Sequence, residues 1–100
     1  MQDFKIVNRS ELIKAISDKY TNLPHYIVVM AITHIFETMT NALMEAKKIE
    51  LRKFGSFSLQ FRPARLARNP KTGNTITMRS KYVVHFKPGK ELHAKVNKKF

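Results

Sequence analysis

From His25 to Lys47 the apolar side chains include Ile27, Val28, Met30, Ala31, Ile32, Ile35, Phe36, Met39, Ala42, Leu43, Met44 and Ala46. At helical spacing this set is wider than one stripe, so such a helix must be covered on more than one side. Only one short helix precedes it. Asn8-Arg9-Ser10-Glu11 reads as a capped start, with Asn8 accepting from the third helical N–H and Glu11 reaching back. Leu12, Ile13, Ile16 and Tyr20 follow on one face, and Thr21-Asn22-Leu23-Pro24 ends the pattern. That helix cannot cover the longer one, and a chain of 100 residues buries a limited core by itself. The pattern predicts an interface with a second chain.

After Lys48 the period changes from that of a helix to that of a strand. Ile49 and Leu51 fall on one face, with Lys48, Glu50, Arg52 and Phe54 on the other. Gly55 marks a tight connection. Phe57, Leu59 and Phe61 alternate with Ser58, Gln60 and Arg62, and Asn69-Pro70-Lys71-Thr72-Gly73 is a turn. Strand character resumes from Thr75 to Phe86, and Pro88-Gly89 opens a last helix with Leu92 and Val96. The order is α-α-β-β-β-α, an α+β chain. The hairpin from Ser56 to Phe86 has arms of about 13 residues, roughly 43 Å at ~3.3 Å each. A compact domain of this size has a radius of gyration near ~13 Å, so the outer part must project.

Charge is segregated along the chain. Residues 1–50 hold six basic and six acidic side chains, whereas residues 51–100 hold thirteen basic ones and a single acid, Glu91. Between Arg62 and Lys81 there is no acid at all. Solubilising lysines would be mixed with acids, so this asymmetry points to a polyanion, nucleic acid before membrane. No segment is a basic amphipathic helix of membrane-surface type. The longest uninterrupted apolar run, Tyr26 to Ile32, is seven residues, against about 20 for a bilayer span. The start, Met-Gln-Asp-Phe-Lys, has no apolar signal core, and the absence of cysteine fits a reducing compartment. An intracellular protein is expected.

Catalysis, metal and cofactor are not expected. After residue 49 the only carboxylates are Glu50 and Glu91, which leaves no acidic pair there to hold Mg²⁺. His25, His34, His85 and His93 lack ligand spacing and read as surface or groove-lining residues. Lys53 to Phe61 resembles the aromatic strand of an RNA-recognition motif, but lacks the Gly after the Lys. The helices-first order contradicts that fold, and Phe57, Leu59 and Phe61 are better read as core.

Arg68-Asn69-Pro70-Lys71-Thr72-Gly73, with Phe54-Gly55-Ser56-Phe57 before it and Phe86-Lys87-Pro88-Gly89-Lys90-Glu91-Leu92 after it, resembles the bacterial HU/integration host factor family. The resemblance covers roughly Val7 to Asn97. It implies an intertwined dimer of α+β subunits, each with two N-terminal helices, a three-stranded antiparallel sheet with a long protruding arm, and a short C-terminal helix. On that pattern residues 1–100 are a single domain. Residues 1–6 are an extension, 7–47 a helical dimerisation base, 48–86 the sheet with an arm at about 62–81, and 88–98 the last helix. The implied partner is double-stranded DNA, embraced along the minor groove and kinked by a proline at each arm tip. The second chain is another copy or an α-type subunit, with no membrane partner, in the bacterial cytoplasm and nucleoid. Nucleoid organisation, recombination and transcription regulation are the implied roles.

Carried onto this sequence, the resemblance makes Pro70 the intercalating wedge. Arg62, Arg65, Arg68, Asn69, Lys71, Arg79 and Lys81 become arm contacts, and Lys87 and Lys90 phosphate clamps on the body. Ser56 to Leu59 and Lys81 to Lys90 are most similar to the integration host factor β branch. Glu50 and Arg52 match a pair that in that branch helps recognise a short element outside the kinks. Taken without the resemblance, the two residues read as an ion pair on a solvated strand. Two departures stand out: Arg65-Leu66-Ala67-Arg68 replaces the usual Arg-Thr-Gly-Arg, and Lys53 replaces the usual Gly before Phe54. The alternatives are a sequence-neutral HU-like protein and, more remotely, an RNA-binding ribosome-associated protein. The groove shapes of A-form RNA fit two intercalating arms poorly.

Overall fold

The computed structural model describes residues 4–100. Of the extension expected over residues 1–6, residues 1–3 lie outside the described residues, and residues 4–6 belong to no helix or strand. The chain divides into two compact units, residues 1–40 and 41–100.

In the first unit, α1 spans Arg9–Lys19 and shows one half of the expected cap, with Asn8 Oδ1 accepting from the Glu11 N–H at 3.0 Å, while the Glu11 side chain does not reach back. Ser10 Oγ donates to the same oxygen at 2.7 Å. Lys14 pairs with Asp18 one turn on at 2.7 Å, and this hydrogen bond and charge raise the lysine above its ordinary pKa. The helix α2, His25–Met44, starts where Pro24 offers its carbonyl to the Ile27 N–H at 3.0 Å. Ser17 meets His25 at 3.2 Å. Arg9 donates to Thr33 and lies over the Phe36 ring, tying the start of α1 to α2.

Val28 and Ile32 are the only buried hydrophobic residues among those described. Leu12, Ile16, Tyr20, Met30, Ile35 and Phe36 are 40–56% exposed. By length and composition alone α2 is apolar enough to cross a bilayer, a property that counting uninterrupted runs does not reveal. Its Thr33, His34, Glu37 and Asn41 break the runs without changing the average.

In the second unit α2 ends three residues before the expected Lys47, in a reciprocal pair of bonds. The Lys47 N–H reaches the Ala42 carbonyl and the Ala46 N–H the Leu43 carbonyl, each at 2.9 Å. This closure puts Ala46 at φ 58°, the left-handed position where glycine is usual. Strand β1 (Ile49–Leu51) then pairs with β2 (Gly55–Arg62). Strands β3 (Arg65–Arg68), β4 (Thr75–Met78) and β5 (Lys81–Pro88) follow, and α3 spans Lys90–Lys99. The antiparallel order β1-β2-β5 makes the three-stranded sheet, and β3-β4 makes a separate two-stranded one.

Four local expectations need correction. The alternation predicted to run through Arg52 and Phe54 stops at Leu51, because a turn closes from the Phe54 N–H to the Leu51 carbonyl at 3.0 Å. Lys53 takes φ 69° in that turn, which gives the physical reason for the family's glycine. Gly55 is the first residue of β2, not the connection. A Cβ there would lie 2.5 Å from the Lys87 carbonyl oxygen and 2.7 Å from the Phe86 ring, so glycine permits close approach of strands. The predicted continuous hairpin is interrupted at residues 63–64 and 79–80, where Pro63 has no N–H for the ladder. Pro88 ends β5 opposite Gly55, and α3 starts after it with Gly89 as its N-cap.

Phe86 joins this unit's aromatic cluster, 4.7 Å from Phe57 and 5.5 Å from Phe54 between ring centroids. Ala46→Gly is expected to raise stability by about 1 kcal/mol by relieving the left-handed strain. Gly55→Ala is expected to lower it by about 1–3 kcal/mol through overpacking against β5. Denaturant unfolding of both variants checks the opposite signs.

Candidate nucleic-acid interface

Cross-strand partners share a face of a sheet. The pairs Glu50–Ser56 and Ser56–Lys87 therefore put Glu50, Ser56 and Lys87 in one row across β1, β2 and β5. Ser58 and His85 form the next row, and Arg62 and Lys81 the last. The opposite face carries Phe57 with Phe86, Leu59 with Val84, and Phe61 with Tyr82. The sheet is amphipathic, with its cations on the polar face.

One end of that polar face borders a concavity of about 520 Å³, lined by Glu50, Arg52, Ser56, Lys87, Lys90 and His93 among others. All four body residues expected from the sequence thus come together, although Arg52 reaches the concavity from the turn rather than from β1. Lys90 arrives because the Gly89 N–H donates to the Phe54 carbonyl at 2.8 Å, fixing where α3 begins. Glu50 pairs with Lys48 at 3.4 Å. Ser56, Lys48 and His93 were not among the expected site residues. The spacing from Lys90 to His93 was the available signal, since residues three apart share a helix face.

Four of the six arm cations gather at the ladder break. Arg62, Pro63, Arg65, Arg79 and Lys81 line a groove of about 430 Å³ with Met78 and Val83. The opposed pairs advance in step from Gly55–Pro88 through Arg62–Lys81 and Arg65–Met78 to Arg68–Thr75, so the break adds no bulge. No arm cation takes part in an ion pair among the described residues.

Arg68 ends β3, and Asn69, Pro70 and Lys71 form the tip. The tip is closed by residues other than its proline. Asn69 Oδ1 accepts from the Lys71 N–H at 2.9 Å, and the Gly73 N–H reaches the Asn69 carbonyl at 2.7 Å. The Asn69 N–H donates to the Asn74 carbonyl at 2.8 Å, and Gly73 supplies φ 75°. Asn69, expected as a groove contact, thus has its side-chain oxygen engaged within the turn. Pro70 is exposed. Asn69→Ala removes one side-chain bond of about 1 kcal/mol, so the Lys71 amide is expected to exchange about fivefold faster. Hydrogen exchange read by NMR checks it.

Comparison with known proteins converges on one family. The model of the family described as "Bacterial DNA-binding protein" matches residues 7–97. Integration host factor subunit beta of Halorhodospira halophila is 52% identical over 91 residues, covering 91% of this chain and 89% of that protein. The corresponding subunit of Alkalilimnicola ehrlichii is 48% identical, covering 91% of both. Among solved structures, an Anabaena HU–DNA cocrystal superposes with a TM-score of 0.79 at 32% identity, covering 90% of this chain and 97% of that one. An HU variant from Thermotoga maritima gives 0.65 at 30% identity, with 90% and 99% coverage. The polar sheet face, the cationic arm and the tip therefore belong to a member of the bacterial DNA-binding protein family of HU and integration host factor, non-enzymatic architectural proteins that bind and bend DNA.

Proposed function

We propose that this chain works as one half of an intertwined dimer that embraces duplex DNA from the minor-groove side. In this reading residues 1–100 act as a single DNA-binding domain, paired with another copy or with an α-type subunit of the same family. The exposed apolar residues of α1 and α2 support a second chain, since a lone chain buries only Val28 and Ile32 among them. The site of action is the bacterial cytoplasm and nucleoid, in DNA compaction, recombination and transcription regulation.

The observation that carries the bending mechanism is the exposed Pro70 on a tip already closed by Asn69 and Gly73. Setting the turn does not depend on the proline alone, so its compact apolar ring is available to replace a base-stacking contact. Unstacking costs a few kcal/mol per step and is offset by phosphates that bent DNA brings against the flanks. Arg62, Arg65, Arg68, Lys71, Arg79 and Lys81 contact groove and backbone along the arm. Lys87 and Lys90 clamp phosphates at the body, and counterion release supplies most of the affinity. Pro70→Ala is expected to reduce the bend strongly while leaving binding to straight DNA in place. End-to-end FRET on a duplex of about 35 base pairs, somewhat longer than a typical bent site, reads this directly; an unchanged bend at saturation would leave Pro70 a turn residue.

Selectivity rests on deformability together with Glu50 and Arg52. Arg52→Ala is expected to cost about 1–3 kcal/mol at a preferred site and much less on random duplex. Equal losses in a competition assay would make Arg52 a phosphate contact and the protein sequence-neutral, as in HU-like members.

A further inference from the structure

We infer that Leu66 sets a base-composition preference for the DNA under the arm, admitting A·T pairs and rejecting the exocyclic amine that guanine places in the minor groove. This rests on the proposed reading of the arm as a minor-groove element. It adds a selectivity that neither the arm cations nor Pro70 supplies.

Leu66 is 72% exposed. Its cross-strand partner is Thr77, and Arg68 with Thr75 forms the next pair on the same face of the ribbon. Ala67, Ile76 and Met78 lie on the opposite face. The opposed pairs keep one register through the break at residues 63–64 and 79–80. The alternation that puts Arg62 and Lys81 on the polar face of the sheet therefore puts Leu66 and Thr77 there too, with Arg68 and Thr75 beyond them. A single exposed leucine is ordinary on a protein surface. This one stands between Arg62 and Arg68 on one face, so a duplex held by those two arginines covers it.

Minor-groove chemistry determines what Leu66 then meets. A·T and T·A pairs present only the acceptors adenine N3 and thymine O2, whereas a G·C pair adds the guanine N2 amine, a donor. Where that amine would stand, adenine has a bare C2–H. The isobutyl group packs on the C–H, while Arg68, Thr75 and Thr77 on the same face supply donors for N3 and O2. Against guanine the same group displaces water from the amine and offers it no acceptor, and a covered donor left without a partner weakens binding about tenfold. Leu66 precedes Pro70 by four residues, roughly 13 Å of strand. At ~3.4 Å per base pair the pairs it senses lie about four base pairs from each kink.

The test is competition binding, read by fluorescence anisotropy, among three duplexes of one length that carry a central nick to seat a wedge. They differ only about four base pairs to either side of the nick, where they hold A·T, G·C or inosine·C pairs. Inosine is guanine without the amine, so it isolates that one group. The wild type, with the dimer partner it is purified with, is expected to bind the A·T and inosine·C duplexes about tenfold more tightly than the G·C duplex. Leu66→Thr gives the amine a hydroxyl acceptor and is expected to bring the three affinities within about twofold by raising that for G·C. Its affinity for inosine·C is expected to stay near the wild type, as for other exposed substitutions, which separates lost selectivity from a damaged arm. Ala67→Gly, on the opposite face, is expected to keep the wild-type ratio. Equal wild-type affinity for G·C and inosine·C, or a ratio that survives Leu66→Thr, overturns the inference. A ratio lost in Ala67→Gly but kept in Leu66→Thr puts the other face on the groove and overturns it as well. DNA that is bound and bent without the ratio defeats the role of Leu66 alone, whereas binding without any bend defeats the reading of the arm.

Discussion

Between Arg62 and Lys81 six cations and no carboxylate share one hairpin. Strands in a ladder lie about 5 Å apart, well inside the Debye length of about 10 Å at 0.1 M salt, so these charges repel across the arm. Among the described residues no ion pair relieves this repulsion. The chain's ion pairs among those residues are Lys14–Asp18, Lys47–Glu45, Lys48–Glu50 and Lys95–Glu91. The two carboxylates nearest the arm in sequence, Glu50 and Glu91, are both taken by lysines outside the arm. A polyanion carries the opposite charge, and the second unit arranges its cations along one sheet face and the arm.

Register carries that arrangement. A slip of one residue between β2 and β5 would exchange Lys87 and Lys81 with Phe86 and Tyr82 across the two faces of the sheet. The aromatic pairs oppose such a slip, because Phe57 meets Phe86 and Phe61 meets Tyr82 at 4.7 and 5.3 Å. Gly55 contributes at the other end by letting the strands approach where a side chain would collide with Lys87. The break at Pro63 interrupts the hydrogen bonds but not the pairing order, so four cations gather around a groove while the arm beyond resumes in the same register.

Much of this was legible where the chemistry is local. Asn8 and Pro24 announce the helix starts because caps involve residues only a few positions apart, and the turn from Asn69 to Gly73 is likewise self-contained. The break at Pro63 was hidden because strand character reads continuously from Thr75 to Phe86 on the opposing side of the hairpin. The turn after Leu51 was hidden because Lys53 occupies a position where a glycine would have signalled left-handed backbone. At the site, Glu50 and Lys87 follow from strand alternation, but their meeting with Lys90 and His93 does not. That meeting depends on the Gly89 N–H reaching the Phe54 carbonyl, a contact between distant positions that no spacing rule encodes.

The non-glycine residues with positive φ among those described, Ala46 and Lys53, flank the same short strand. Strand β1 is three residues long and holds Glu50 in the row with Ser56 and Lys87. Its entry is set by the helix closure at Ala46, and its exit by the turn that delivers Arg52 to the concavity. Each left-handed alanine or lysine costs on the order of 1 kcal/mol relative to glycine, so the chain tolerates strain on both sides of the strand that carries its proposed reading residue. At the exit the gain is explicit: Lys53 adds a cation beside Arg52, where glycine would add none. Backbone strain and positive charge thus accumulate at the same connection, the one that brings Arg52 to the concavity.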